Sequence, residues 1–165
     1  MIKTVTHDGK IYPEFQTNGN AARFAMPFAK ELLQGNGLDI GCNRKDWAFP
    51  GAKMIDLEIN DEWDAFNLPN EKYDYIFSSH CLEHINDWVG ALDYWGKHLK
   101  AGGVMFLYLP HYSQTYWRPW NNRKHVNILF LRPNQSEAVF LQFPKIAVFD
   151  GRRIADIWQP LPVSA

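Results

Sequence analysis

A chain of 165 residues suits one domain, and a domain near this size buries roughly 70% of the surface its unfolded chain exposes. Its 46% apolar and 21% charged residues are ordinary globular usage, which excludes a disordered body. A formal net charge of −1 excludes a global basic field for nucleic acid or anionic membrane, and no stretch approaches the ~20 apolar residues of a spanning helix. Met1 to Asp8 carries no apolar run and does not read as a signal peptide. Cys42 and Cys81 build no disulfide framework and lack metal-site spacing. The expectation is a single domain over residues 1–165 in a reduced, cytoplasmic setting.

Residues 1 to about 18 read as an irregular lead-in. Asn18-Gly19-Asn20 then opens a run with helical spacing: Ala21, Phe24, Ala25, Phe28, Ala29 and Leu32. Asn20 is its cap and Gly35 its stop, while Pro27 predicts a kink or a late start. Short strands are expected at Leu38–Cys42, Lys53–Leu57 and Tyr73–Ser79. Asn86 or Asp87 caps a helix with Trp88, Val89, Leu92, Trp95 and Leu99 on one face, ended before Gly102-Gly103. Val104 to Leu109 is a buried strand stopped by Pro110. A short helix is expected from Asn134 to Phe143. Asp150-Gly151 marks a hairpin between Ile146–Phe149 and Ile154–Trp158. Alternating strands and helices imply an α/β fold: a Rossmann-like, mostly parallel sheet with helices on both faces and an antiparallel C-terminal hairpin.

In an open parallel sheet, ligands sit beyond the carboxyl ends of the strands. Gly41, at the end of the first of these strands, lets a ligand approach the backbone closely. Asp56, at the end of the second, offers a carboxylate that can accept both hydroxyls of a ribose. Taken separately, these are a turn glycine and a surface acid.

The order of the whole set is more specific. Leu38-Asp39-Ile40-Gly41-Cys42-Asn43 leads to Met54-Ile55-Asp56-Leu57, then to Asp64-Ala65-Phe66. Ile76-Phe77-Ser78-Ser79-His80-Cys81-Leu82-Glu83-His84 and Leu99-Lys100-Ala101-Gly102-Gly103 follow. This resembles the class I S-adenosylmethionine (SAM)-dependent methyltransferase family, in its small type 11 branch, over roughly Gly37 to Pro110 with a looser echo to His125. The resemblance implies SAM as methyl donor and S-adenosylhomocysteine as product. It also implies that Asp39 helps hold the methionine end and that Gly41 packs on the cofactor, with Cys42 and Asn43 beside it. Asp56 grips the ribose, with Leu57 next to it. Asp64 and the Ala65 N–H meet the adenine, Phe66 and Leu82 wall it, and Ser79 and His80 lie beside the sulfonium. The sequence departs from the family in having few glycines after the first strand, where Asn43, Arg44 and Lys45 stand, and a segment to Gly51 too short for a full helix.

The loop from His111 to His125 has three cations, four aromatics and no acid. It follows the strand ending at Pro110, which in this fold places it over the acceptor pocket. It would suit a small anionic or sugar-like acceptor through Trp117, Trp120, Arg118, Arg123 and Lys124. His80, His111 and His125 are the candidates for a catalytic base. Glu83 and His84 read as the start of a helix. No metal motif is present. The alternatives are a non-catalytic binding module on the same fold and, less favoured, a nicotinamide-dependent oxidoreductase, for which G-x-G-x-x-G is missing.

Overall fold

The computed structural model describes residues 2–110 and 115–117, and two further strands, Ile146–Phe149 and Ile154–Asp156. The chain opens with β1 (Thr4–His7) and β2 (Lys10–Pro13), an antiparallel hairpin. Asp8 (φ 49) and Gly9 (φ 70) both lie in the left-handed region, as a two-residue hairpin turn requires. The irregular lead-in is thereby corrected. Its strands are only four residues each, too short for apolar alternation to register in the sequence, and only Asp8-Gly9 signalled them. The one-turn helix α1 (Glu14–Thr17) follows.

Helix α2 spans Ala22–Leu32, and the Asn20 side chain accepts from the Arg23 N–H at 3.1 Å, as its expected cap. Pro27 lies inside it, on the exposed side, and the helix begins five residues earlier at Ala22, so the late start is corrected. Water can meet the carbonyl that Pro27 leaves without a donor. The buried stripe is Ala21, Ala22, Ala25 and Ala29, while Phe28 and Leu32 stay partly exposed.

The main sheet has six strands in the order β4-β3-β5-β6-β7-β8. They are β3 (Gly37–Ile40), β4 (Lys53–Ile55), β5 (Tyr73–Ser79), β6 (Leu99–Tyr108), β7 (Ile146–Phe149) and β8 (Ile154–Asp156). All neighbours pair in parallel except β7 and β8, which form the expected antiparallel hairpin. Between β3 and β4 there is only a 3-10 turn at Lys45–Trp47, in keeping with the short segment. Helix α3 (Trp88–Gly96) is capped by Asp87, which accepts from the Gly90 N–H at 2.9 Å. The expected helix from Asn134 to Phe143 lies outside the described residues.

One strand boundary is corrected. β6 begins at Leu99, before the glycine pair, because Leu99 pairs with Tyr73 and Val104 with Tyr75. The residues between them bulge out, and Gly102 (φ 77) supplies the left-handed residue.

Two cores result, one on each face. Leu38, Ile40, Ile76, Met105 and Leu107 pack with Ala91, Leu92 and Trp95 of α3. Tyr75, Phe77, Phe106 and Tyr108 pack with Phe49 and the alanines of α2. Among the described residues, no helix is long and apolar enough to cross a membrane.

Candidate active site

β4 and β5 flank β3 on opposite sides, so strand order reverses at β3, where ligands bind in open α/β sheets. A cavity of about 620 Å³ opens there. Its walls include Asp39, Gly41, Cys42, Asn43, Ser79 and His80, six of the residues expected from the sequence.

Gly41 follows β3 with φ 83. A side chain would strike Cβ and Sγ of Cys81, so this glycine is required by the fold itself. Asn43 (φ 62) donates its backbone N–H to Asp56 Oδ2 at 2.6 Å, and Asp56 Oδ1 accepts from the Glu58 N–H at 2.9 Å. Each oxygen keeps acceptor capacity beyond the bond it already receives.

Asp39 is 1% exposed, and its Oδ2 accepts from the Phe49 N–H at 2.6 Å. Burial pushes its carboxyl up to about 7 against the lowering effect of that N–H, and the charge of Asp56 adds to the rise. Burial also pushes the Cys42 thiol up to about 12, helped by Asp39 and Asp56, and raises that of Cys81. Neither cysteine is a thiolate nucleophile near neutral pH.

Asp56, Leu57, Asp64, Ala65 and Phe66 lie outside the cavity lining. Asp56 adjoins it through Asn43. Asp64 Oδ1 accepts from the Phe66 N–H at 2.7 Å, and the Ala65 carbonyl accepts from the Trp95 indole at 2.7 Å. Leu57 and Phe66 are exposed apolar side chains, at 68% and 48%. Leu82 is buried in the α3-side core and is not part of the cavity lining. His111 and His125 lie outside the described residues, as do Trp120, Arg118, Arg123 and Lys124. Trp117 is described, and it lines the cavity.

Sequence reasoning missed an entire wall. His7, Gln16 and Thr17 reach the cavity from the hairpin and α1. Gln16 Nε2 donates to the Tyr108 hydroxyl at 2.7 Å, and Tyr12 packs edge-on to Trp117 at 5.3 Å between ring centroids. The His7 ring meets Tyr116 at 5.3 Å. The hairpin and the 115–117 turn therefore form one aromatic surface over the strand ends. Glu83, read as a helix start, is instead a buried acid in the 3-10 turn Leu82–His84, with Oε1 3.2 Å from Nδ1 of His80. Burial works to raise its carboxyl, but His80, its own N–H and His84 together hold it below the usual range.

A mostly parallel sheet with helices on both faces, and a polar cavity where its strand order reverses, defines a Rossmann-like α/β enzyme. A family model described as a methyltransferase domain matches residues 17–159. The chain belongs to this methyltransferase domain family and is a methyltransferase, of a family that generally uses SAM. No curated protein and no solved structure matches it. Among the described residues, no group of three or more His, Cys, Asp or Glu is arranged to hold a metal ion.

Proposed function

We propose that the chain transfers the methyl group of SAM to a small acceptor held in the cavity, by in-line displacement. The observation that carries this reading is the pair of strand ends beside Gly41. There the Asp56 carboxylate is fixed by two backbone N–H groups, and Asn43, which donates one of them, lines the cavity.

The residues present fit an adenosyl sulfonium. The cavity volume falls within the roughly 300–1,000 Å³ of small-molecule sites. Asp56 can accept ribose hydroxyls, and Asp39 presents a carboxyl to a cationic methionine end. The family resemblance gives Asp64 and the Ala65 N–H to the adenine, outside the cavity lining, and Leu57 and Phe66 are exposed apolar side chains that could cover it. Bound SAM supplies a methyl group already activated on sulfur. The protein's part is to hold the acceptor in line and keep water out, and positioning alone can supply roughly 7–11 kcal/mol of a barrier. Ser79, which ends β5, and His80 after it line the cavity, which suits a place beside the reacting centre. His111 and His125 remain further base candidates.

Calorimetric titration with SAM, S-adenosylhomocysteine and NADH tests the cofactor. SAM and its product should bind and NADH should not. Asp56→Ala should weaken SAM binding by roughly 1.5–3 kcal/mol, the worth of hydrogen bonds to a charged group. Unchanged affinity in a folded variant removes Asp56 from the site.

A further inference from the structure

Two acids are buried among the described residues, Asp39 and Glu83. Asp39 is engaged by the Phe49 N–H. Glu83 is 1% exposed, and the tight turn that carries it, closed by the His84 N–H on the Cys81 carbonyl at 2.9 Å, sets it three residues after His80. A carboxylate taken from water in this way is tolerated only where a partner compensates it.

His80 is held unusually firmly. It has φ 51, in the left-handed region that residues other than glycine seldom enter. Its backbone N–H donates to the Tyr108 carbonyl at 2.9 Å. Its ring lies against Tyr108 at 5.2 Å and Trp117 at 5.3 Å between centroids. Nδ1 faces Glu83 at 3.2 Å. Nε2 is buried and has no hydrogen-bond partner among the described residues, although His80 lines the cavity. Strain of this kind gathers at functional sites.

We propose that Glu83 is a positioning residue that keeps the His80 proton on Nδ1, leaving Nε2 as the base for the hydroxyl of an aromatic acceptor. This deepens the SAM-dependent reading and rests on it. The acceptor class follows from the walls. The described lining contains Trp47, Tyr116 and Trp117, has no Lys or Arg, and has Asp39 as its only carboxylate. The three rings offer faces and edges against which an aromatic acceptor can pack. A neutral amine can shed its proton after transfer, but a hydroxyl becomes a good nucleophile only as it loses one. A phenolic hydroxyl, with a pKa of about 10, is within reach of an imidazole, unlike that of a simple alcohol.

In the step itself, the acceptor proton moves to Nε2 and the acceptor oxygen bonds to the methyl carbon. The carbon–sulfur bond breaks, and its electron pair stays on sulfur as a neutral thioether. The positive charge ends on the imidazolium, beside Glu83. The other titratable groups around His80 are Tyr108 against its ring, Cys81 next in the chain, and His7, Asp39, Cys42, His84 and Tyr116 on the cavity wall.

The test uses the full chain with SAM and three probe acceptors: p-cresol, benzylamine and methyl glucoside. We expect methyl transfer to p-cresol in preference to the other two. Glu83→Gln should lower kcat about ten- to hundredfold, part of what a general base contributes, with KM for p-cresol and SAM affinity changed less than about twofold. It should also displace the acid limb of the pH–rate profile. In wild-type protein labelled with 15N-histidine, the neutral His80 ring should carry its proton on Nδ1, and this measurement decides the Glu83 role even if the variant does not fold. A wild-type ring protonated on Nε2, an unchanged kcat in folded Glu83→Gln, or preference for benzylamine or methyl glucoside overturns the proposal. If SAM binds but p-cresol is not methylated, the acceptor class fails and the cofactor reading stands. If SAM does not bind the folded protein, the cofactor reading fails.

Discussion

The two faces of the central strands are built from different materials. The α3 side is mainly aliphatic, with Leu38, Ile40, Ile76, Met105 and Leu107 packed around the buried Trp95 and Tyr73. The α2 side is aromatic, with Tyr75, Phe77, Phe106, Tyr108 and Phe49 against alanines. Strand alternation sorts them: Ile76 and Phe77 are neighbours on opposite faces, as are Leu107 and Tyr108. Large rings on the sheet require small residues on the helix, so α2 presents Ala21, Ala22, Ala25 and Ala29. The aromatic face also runs into the site. Tyr108 at its end touches both Gln16 and His80, and Asp39 lies between Leu38 and Ile40, which belong to the aliphatic face. One face supplies stability, while the other joins stability to the cavity.

Substitutions on each side sharpen this contrast. Phe77→Ala should cost the most, about 3–5 kcal/mol, because Phe77 is fully buried between Phe49 and Phe106. Denaturant unfolding measures it, and a loss under about 1 kcal/mol would mean that the aromatic face is loosely packed.

Asp39 gives the next effect. Its carboxyl titrates near 7 in the folded chain against an ordinary 3.8. Between those values the folded state holds the proton more tightly than the unfolded state does. Its contribution to stability therefore falls as pH rises from about 4 to about 7 and is flat above. Asp39→Asn should remove that slope, seen as a smaller drop in unfolding free energy between pH 5 and pH 8 than in wild type. Equal slopes would show that Asp39 is ionised at low pH in the folded state.

Ala25→Leu should destabilise by about 1–3 kcal/mol, since the rings leave the helix no room for a larger side chain. On the aliphatic face, Ile76→Val should cost only about 0.5–1.5 kcal/mol. If thermal unfolding ranked Ile76→Val above Ala25→Leu, the two faces would not differ as described.

Much of the parallel sheet was legible because its strands are short apolar runs ending in a glycine, an acid or a proline. The lower half of the cavity was legible for the same reason: Asp39, Gly41, Cys42 and Asn43 are consecutive or nearly so, and Ser79 and His80 end a strand. The opposite wall was not. His7 and Gln16 reach the cavity by tertiary packing of a hairpin whose exposed strands carry no periodic signal, although Asp8-Gly9 was a local clue. Glu83 was misread because its neighbours suit a helix start. Its burial beside His80 goes with the left-handed backbone at that residue, and histidine's modest preference for that region is too weak to place it from sequence. The buried stripe of α2 was shifted because alanine carries little weight in a hydrophobic pattern, while Phe28 and Leu32 carry much.

The tryptophans in the cavity wall give the protein an optical handle. Trp47 and Trp117 line it, and the Trp117 ring lies 5.3 Å from that of His80. A ring system stacking on either indole changes its emission, and a protonated imidazole at that distance quenches it. Cavity occupancy and the charge on His80 can therefore be followed in the unlabelled chain by fluorescence. Trp117→Phe and Trp47→Phe would separate the two signals from the five remaining indoles of the seven in the sequence.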